Sequence, residues 1–118
     1  MANKVTWFEI MGSDGPALQQ FYGDIFGWDY QQAPGEMSYG MIGGGDGGIG
    51  GGIGAAPQQG NSVTIYIEVD DPQAVLDQIG QNGGETVVPV TEIPNMVTFA
   101  QFRDPQGNVV GLVKSQAQ

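Results

Sequence analysis

Val5-Thr-Trp-Phe-Glu-Ile-Met-Gly-Ser-Asp14, continued by Gly-Pro-Ala-Leu18, has a counterpart 57 residues further on, in the stretch that closes with Val69-Asp-Asp71-Pro-Gln-Ala-Val75. At that offset Asp14 aligns with Asp71, Ala17 with Ala74, Leu18 with Val75, Tyr22 with Ile79 and Gly27 with Gly84. Each copy reads as a strand, an Asp at a helix start, an amphipathic helix and a closing Gly. Later segments match at an offset of 60: Gly47 with Gly107, Ile49 with Val109, Gly51 with Gly111, Ile53 with Val113. A duplication followed by a short loop insertion produces such a drift. Two copies are too few for a solenoid. The pattern predicts one domain, residues 1–118, built from two modules spanning about 3–57 and 61–114.

Working outward, Val5–Met11 is rich in β-branched and aromatic residues and reads as a strand. Alternation puts Val5, Trp7, Glu9 and Met11 on one face, with Thr6, Phe8 and Ile10 on the other. Asp14 is placed to cap a helix, and Pro16 falls in the first turn, where its missing N–H costs nothing. Leu18, Phe21, Tyr22, Ile25 and Phe26 recur at helical spacing, a stripe expected to bury against a sheet. Gly27 ends that helix, and Trp28–Tyr30 and Met37–Ile42 are short strand candidates. In the second copy Val63–Val69 reads as a strand, and Asp70-Asp71-Pro72 opens a helix running to about Gln81, ended by Gly83-Gly84. Thr86–Val90, Val97–Arg103 and Val109–Val113 are strands. Asp104-Pro-Gln-Gly-Asn108 is a turn, in which Asp and Pro initiate while Gly and Asn tolerate positive φ.

Residues 43–54 hold nine glycines. Gly45, Gly47 and Gly50 satisfy the spacing of a dinucleotide fingerprint, which requires a strand before it and a helix after it. Ala-Ala-Pro-Gln-Gln follows instead, and no Lys-Ser or Lys-Thr makes a phosphate loop. The segment is expected to be a flexible hairpin beside a concave site.

The chain has a net charge of −10, with Lys4, Arg103 and Lys114 as its only cations. Phosphate backbones need clustered Lys and Arg, so nucleic-acid binding is excluded, and anionic membranes are disfavoured likewise. An acidic surface welcomes a cationic ligand and also serves solubility. There is no cysteine and no histidine, which removes thiol chemistry and every Ser-His-Asp or Cys-His arrangement. No apolar run approaches the roughly 18 residues of a spanning helix and no secretory signal opens the chain, so a cytoplasmic location is expected.

Trp7-Phe-Glu-Ile10, Phe21-Tyr22 with Phe26-Gly-Trp28, and Asp104-Pro-Gln-Gly-Asn108 together resemble the glyoxalase/bleomycin-resistance/dioxygenase superfamily, the vicinal oxygen chelate proteins. The resemblance runs over residues 3–114. It implies an α+β fold of two tandem βαβββ modules, forming a curled mixed sheet around a concave pocket, commonly in a homodimer. It also implies a divalent metal, held by His, Glu or Gln on the first and fourth strands of both modules. Those positions fall on Trp7 and Thr64, and on Gly51 and Gly111. Indole, glycine and a lone hydroxyl are not ligands for such a metal, so no cofactor is expected. Glu9 and Glu68, on the faces of Trp7 and Thr64, offer at most a weak two-carboxylate Mg²⁺ or Mn²⁺ site. Otherwise Glu9 pairs with Arg103 or faces water.

What remains is a pocket face lined by Trp7, Glu9, Thr64, Tyr66 and Glu68. Trp7 either offers its indole to an apolar or cationic guest or fills the space of the missing metal. Tyr66 lines the pocket or packs across strands. Tyr39 closes over a ligand or lies at the surface. The expected function is metal-free binding of a small organic molecule, cationic or aromatic. A glyoxalase-like lyase, isomerase or dioxygenase is the alternative, with Glu9, Glu68 or Tyr66 left to move protons. A non-catalytic interaction subunit is the third reading.

Overall fold

The computed structural model describes residues 2–33, 38–45, 47–56 and 60–115. They form two compact units, residues 7–64 and residues 65–118 with 1–6. The order in the first repeat of the sequence is β1 (Val5–Gly12), α1 (Gly15–Phe26), β2 (Gln31–Gln32), β3 (Tyr39–Ile42) and β4 (Gly50–Ala55). The second repeats it: β5 (Ser62–Val69), α2 (Pro72–Gln81), β6 (Glu85–Ile93), β7 (Val97–Arg103) and β8 (Val109–Lys114). The fold is α+β with two βαβββ modules, as the resemblance implies. Among the described residues no helix is long and apolar enough to cross a membrane.

In the first module the strand order is β2-β3-β4-β1. β1 and β4 run parallel, and the other pairs are antiparallel. Asp14 caps α1 from extended backbone, its Oδ1 accepting the Ala17 N–H at 3.0 Å. Gly27 closes the helix at φ 74°, a left-handed conformation that an L side chain rarely adopts. Gln19 is buried and fastens α1 to the sheet. Its Nε2 donates to the Ile53 carbonyl at 2.8 Å, and its Oε1 accepts from Gln32 Nε2 at 2.9 Å.

The strand and burial expectations of this module compare as follows. Trp28–Tyr30 is not a strand; the short edge strand is Gln31–Gln32. The strand expected at 37–42 is seen from Tyr39, and Met37 lies outside the described residues. The glycine run does belong to a hairpin, since β3 and β4 are consecutive antiparallel neighbours, but Gly50–Ala55 is strand rather than loop, with Gly51 to Gly54 all buried. The apolar stripe of α1 is buried only in part. Phe21, Ile25 and Phe26 remain 54%, 58% and 58% exposed, although rings of Phe8, Tyr22, Phe26 and Trp28 stack together at centroid distances of 5.6–6.1 Å.

The second module has the order β5-β8-β7-β6, again with its first and last strands parallel. Asp71 caps α2 as Asp14 caps α1, accepting from Ala74 N–H at 3.1 Å. Val69, Leu76, Ala100 and Leu112 form the buried core between α2 and the sheet.

The Asp104–Asn108 turn is tied by its own aspartate. Oδ2 accepts from Asn108 Nδ2, and Oδ1 accepts the Asn108 and Gln106 N–H groups, each at 2.9 Å. The Asn108 side chain first, then the Asn108 and Gln106 backbone, hold the Asp104 carboxyl below its ordinary value of 3.8. A lowered folded value means the turn's contribution is present above the unfolded pKa and is lost as pH falls through the folded one. Asp104→Asn should therefore flatten the fall in Tm below about pH 4. Superimposable acid limbs for the two proteins would contradict this.

Candidate functional site

The register across β1 and β4 builds the first module's open face. Trp7 lies opposite Gly50, and Glu9 opposite Gly52. Alternation turns Trp7 and Glu9 away from the face on which Phe8 meets Trp28. The glycines of β4 let rings from both neighbouring strands lie on the backbone. A Cβ at Gly50 would meet Trp7, and one at Gly52 or Gly54 would run into Tyr39.

Tyr39 then completes the face. Its hydroxyl accepts from Trp7 Nε1–H at 3.1 Å and donates to Glu9 Oε2 at 3.0 Å. Trp7, Tyr39 and Glu9 thus form one half-buried, hydrogen-bonded set from β1 and β3. Arg103, the expected partner of Glu9, is engaged by Glu85 at 2.9 Å across the β6–β7 pair.

In the second module Tyr66 stands at the repeat position of Glu9. It is buried, its ring covers Gly111, and its hydroxyl accepts from Gln101 Nε2 at 2.8 Å. Thr64 is buried too, on the same strand face. Glu68 is half-buried, and its backbone is fastened to residues 3 and 4. Its N–H donates to the Lys4 carbonyl at 2.8 Å, and its carbonyl accepts from Asn3 Nδ2 at 3.1 Å. Trp7 and Glu9 are therefore brought together through Tyr39, and Tyr66 joins Gln101. Gln101 is the residue sequence reasoning missed, and Tyr39, left open there between closing over a ligand and lying at the surface, is part of the set. Alternation pairs Tyr39 with Met41 on one face of β3, the available signal for Tyr39.

Register also corrects the fourth-strand assignment. Ile10 pairs with Ile53 and Ile67 with Leu112. Ile53 and Leu112 are 59 residues apart, so the counterpart of Gly111 is Gly52, not Gly51. Gly51 sits under the Phe8 ring, on the opposite face from Trp7. A one-residue slip in a strand exchanges its faces.

The donor test for a divalent metal comes out the same either way. Trp7, Gly52, Thr64 and Gly111 carry no carboxylate, imidazole or thiolate. Among the described residues no three His, Cys, Asp or Glu side chains gather in a group. The residues do not fit the metal that the fold's ligand positions imply.

The model of the Glyoxalase/Bleomycin resistance protein/Dioxygenase superfamily matches residues 4–112. The chain belongs to that superfamily. CFP32 of Mycobacterium tuberculosis (strain CDC 1551 / Oshkosh), named as a glyoxylase candidate, is 31% identical over 124 residues, covering 90% of this chain and 43% of CFP32. The chain thus spans less than half the length of that relative. A glyoxylase-like domain-containing protein of Didymella fabae is 28% identical over 121 residues, covering 89% of this chain and 88% of that protein. Among solved structures, methylmalonyl-CoA epimerase of Mycobacterium tuberculosis superposes with a TM-score of 0.73 at 12% identity, over 96% of this chain and 88% of the epimerase. A Streptomyces coelicolor methylmalonyl-CoA epimerase variant in complex with 2-nitronate-propionyl-CoA gives 0.73 at 17% identity, over 99% and 97%. At these identities the epimerases share the fold.

Proposed function

We propose that this superfamily member binds a small organic molecule, cationic or aromatic, without a metal, on the face formed by Trp7, Tyr39 and Glu9. The observation that carries this reading is the Tyr39 hydroxyl held between the indole N–H and the Glu9 carboxylate. The two bonds fix the indole edge, so its π-face is presented to a guest at little ordering cost. The carboxylate beside it attracts positive charge, and cation–π attraction adds about 0.5–2 kcal/mol as water is excluded. Thr64, Tyr66 and Glu68 are the corresponding ligand-facing residues of the second module. The chain works as a cytoplasmic homodimer.

Coenzyme A thioesters, the ligands in the epimerase complexes, are poor candidates. Their phosphates call for clustered cations, and this chain has three Lys and Arg, with Arg103 already paired. An isomerase- or lyase-type activity is the second reading, favoured by the Tyr39–Glu9 hydrogen bond as a proton-handling pair.

Two measurements test the proposal. Elemental analysis should find far less than one Zn, Ni, Mn or Fe per chain, and EDTA should leave Tm unchanged, since no metal stabilises the fold. About one metal per chain would end the metal-free reading. Calorimetric titration with N-methylquinolinium, a planar aromatic cation, and with neutral quinoline should show binding of both. Glu9→Gln should weaken the cation by about fivefold, roughly 1 kcal/mol for one partly solvated charge contact, and leave quinoline unchanged. Equal affinity of wild type and Glu9→Gln for the cation would remove Glu9 from the site.

A further inference from the structure

On the helix side of the first module lies a cleft of roughly 730 Å³, walled by Leu18, Phe21, Tyr22 and Val63. Ile10, which alternation puts on the strand face opposite to Trp7 and Glu9, also lines it. Small-molecule pockets run from about 300 to 1,000 Å³ and are mostly apolar, with a few placed polar groups. Here those groups are the Asp14 carboxylate, the Ser13 and Ser62 hydroxyls and the Asn61 amide. Gly12 holds the apolar and polar walls together. A Cβ there would stand 2.9 Å from Leu18 Cδ1 and 3.4 Å from Asn61 Oδ1.

The repeat shows that helix packing does not require this wall. At the offset of 57, Phe21 corresponds to Gln78 and Tyr22 to Ile79. Phe21 and Gln78 are both exposed, so one solvent-facing helix position carries an amide in the second module and a phenyl ring in the first. Water favours the amide. The Phe21 ring also meets Tyr22 edge-to-face at 5.1 Å, which makes one apolar surface of the two. Adjoining exposed rings that wall a cleft mark a binding site rather than a packing need.

We infer that the cleft binds a small primary amine in its ammonium form, carried on a hydrocarbon or phenyl body, at a site separate from the Trp7 face. The body lies along Leu18, Phe21 and Tyr22, and the ammonium meets the Asp14 carboxylate. Charge selects the ligand. Asp14 is the only charged residue that lines the cleft, and Lys4, Arg103 and Lys114 all lie outside it. That carboxylate repels an anion, as does a chain carrying −10. The start of α1 gives an anion no compensation. Pro16 has no N–H, and Asp14 accepts the Ala17 and Leu18 N–H groups at 3.0 and 3.1 Å. Hydrogen bonding then selects a primary ammonium among cations. Asp14 Oδ2, the two hydroxyls and the Asn61 side-chain carbonyl hold no hydrogen bond among the described residues. A primary ammonium brings three donors to them, and a quaternary cation brings none.

The test is calorimetric titration of the full chain at neutral pH with 4-phenylbutylammonium and with neutral 4-phenylbutanol, circular dichroism serving as a fold control. Wild type should bind the ammonium, and the alcohol more weakly. Asp14→Asn keeps the helix cap, since Asn caps as well as Asp. It should weaken the ammonium about fivefold, the size of one partly solvated charge contact, and leave the alcohol unchanged. Ala17 lines the cleft, so Ala17→Leu, which keeps a good helix former, should block both compounds. Trp7→Phe separates the two sites and leaves Trp28, stacked on Tyr22 at 5.7 Å, as the reporter. In that variant 4-phenylbutylammonium should still give a saturable change in emission, and N-methylquinolinium should give none. Loss of amine binding in Trp7→Phe would put the amine on the Trp7 face and overturn the inference while supporting the function proposed above. No binding by wild type, or wild-type affinity for the amine in either Asp14→Asn or Ala17→Leu, would overturn the inference alone.

Discussion

Ile53→Ala should lower the unfolding free energy by about 2–5 kcal/mol, moving the denaturation midpoint while leaving its slope unchanged. Ile53 is fully buried, and it is one of the two largest side chains in that state among the described residues. It lies on β4 opposite Ile10 of β1, and Gln19 of α1 bonds its carbonyl. The side chain therefore sits where helix and parallel strand pair meet, and its neighbours are held by hydrogen bonds that resist collapse into the space left behind. Both the lost burial and the residual cavity count against the variant. Leu112→Ala should behave alike in the second module, since Leu112 holds the equivalent place opposite Ile67. Val63→Ala, at an exposed site, should stay within about 0.5 kcal/mol of wild type. An Ile53→Ala loss below about 1 kcal/mol would show that β4 is not the buried strand described, because full burial predicts more.

Gly52→Val is the second large effect, and it links packing to the site. Any Cβ at residue 52 runs into the Tyr39 ring, so the ring must leave the strand surface. Overpacking of this kind costs about 1–3 kcal/mol. The displaced ring also takes its hydroxyl from Trp7 and Glu9, and binding of N-methylquinolinium should fall with stability. The coupling is checked by a double-mutant cycle: in a Tyr39→Ala background Gly52→Ala should cost much less than in wild type. Additive effects would separate Tyr39 from Gly52. Gly43→Ala is the control, since a Cβ there meets nothing within 4 Å.

These two residues also mark where sequence reading stopped. The helix starts were legible because each carries its own signal: an Asp whose side chain caps, then a Pro in the first turn. The Asp104–Asn108 turn was legible for the same reason. Strand β4 was reached only through the repeat and the family resemblance, because Gly-Gly-Gly-Ile-Gly has no alternation and a loop-like composition. What makes it a strand comes from elsewhere in the chain, from the Trp7, Phe8 and Tyr39 rings that cover its glycines. The same sameness of residues hid the register, since glycine can be matched to glycine at an offset of 59 or 60. The stripe on α1 was read correctly as apolar, but periodicity does not say whether a face meets its own sheet or another molecule. Trp7 and Glu9 were legible as face-sharing neighbours. That Tyr39 joins them depends on β3 lying beside β4, a pairing local sequence does not express.

If this face binds the ligand, Trp7 meets it, and fluorescence titration of two single-tryptophan variants in EDTA reads that contact directly. With N-methylquinolinium, Trp28→Phe should keep a saturable change, because Trp7 remains. Trp7→Phe should show none, although Trp28 still emits, and its calorimetric affinity should fall by on the order of 1 kcal/mol, the size of a desolvated cation–π contact. Added salt should weaken the cation more than quinoline. If Trp7→Phe binds the cation as tightly as wild type, the indole is filler, and the face of Trp7, Tyr39 and Glu9 is not the binding site.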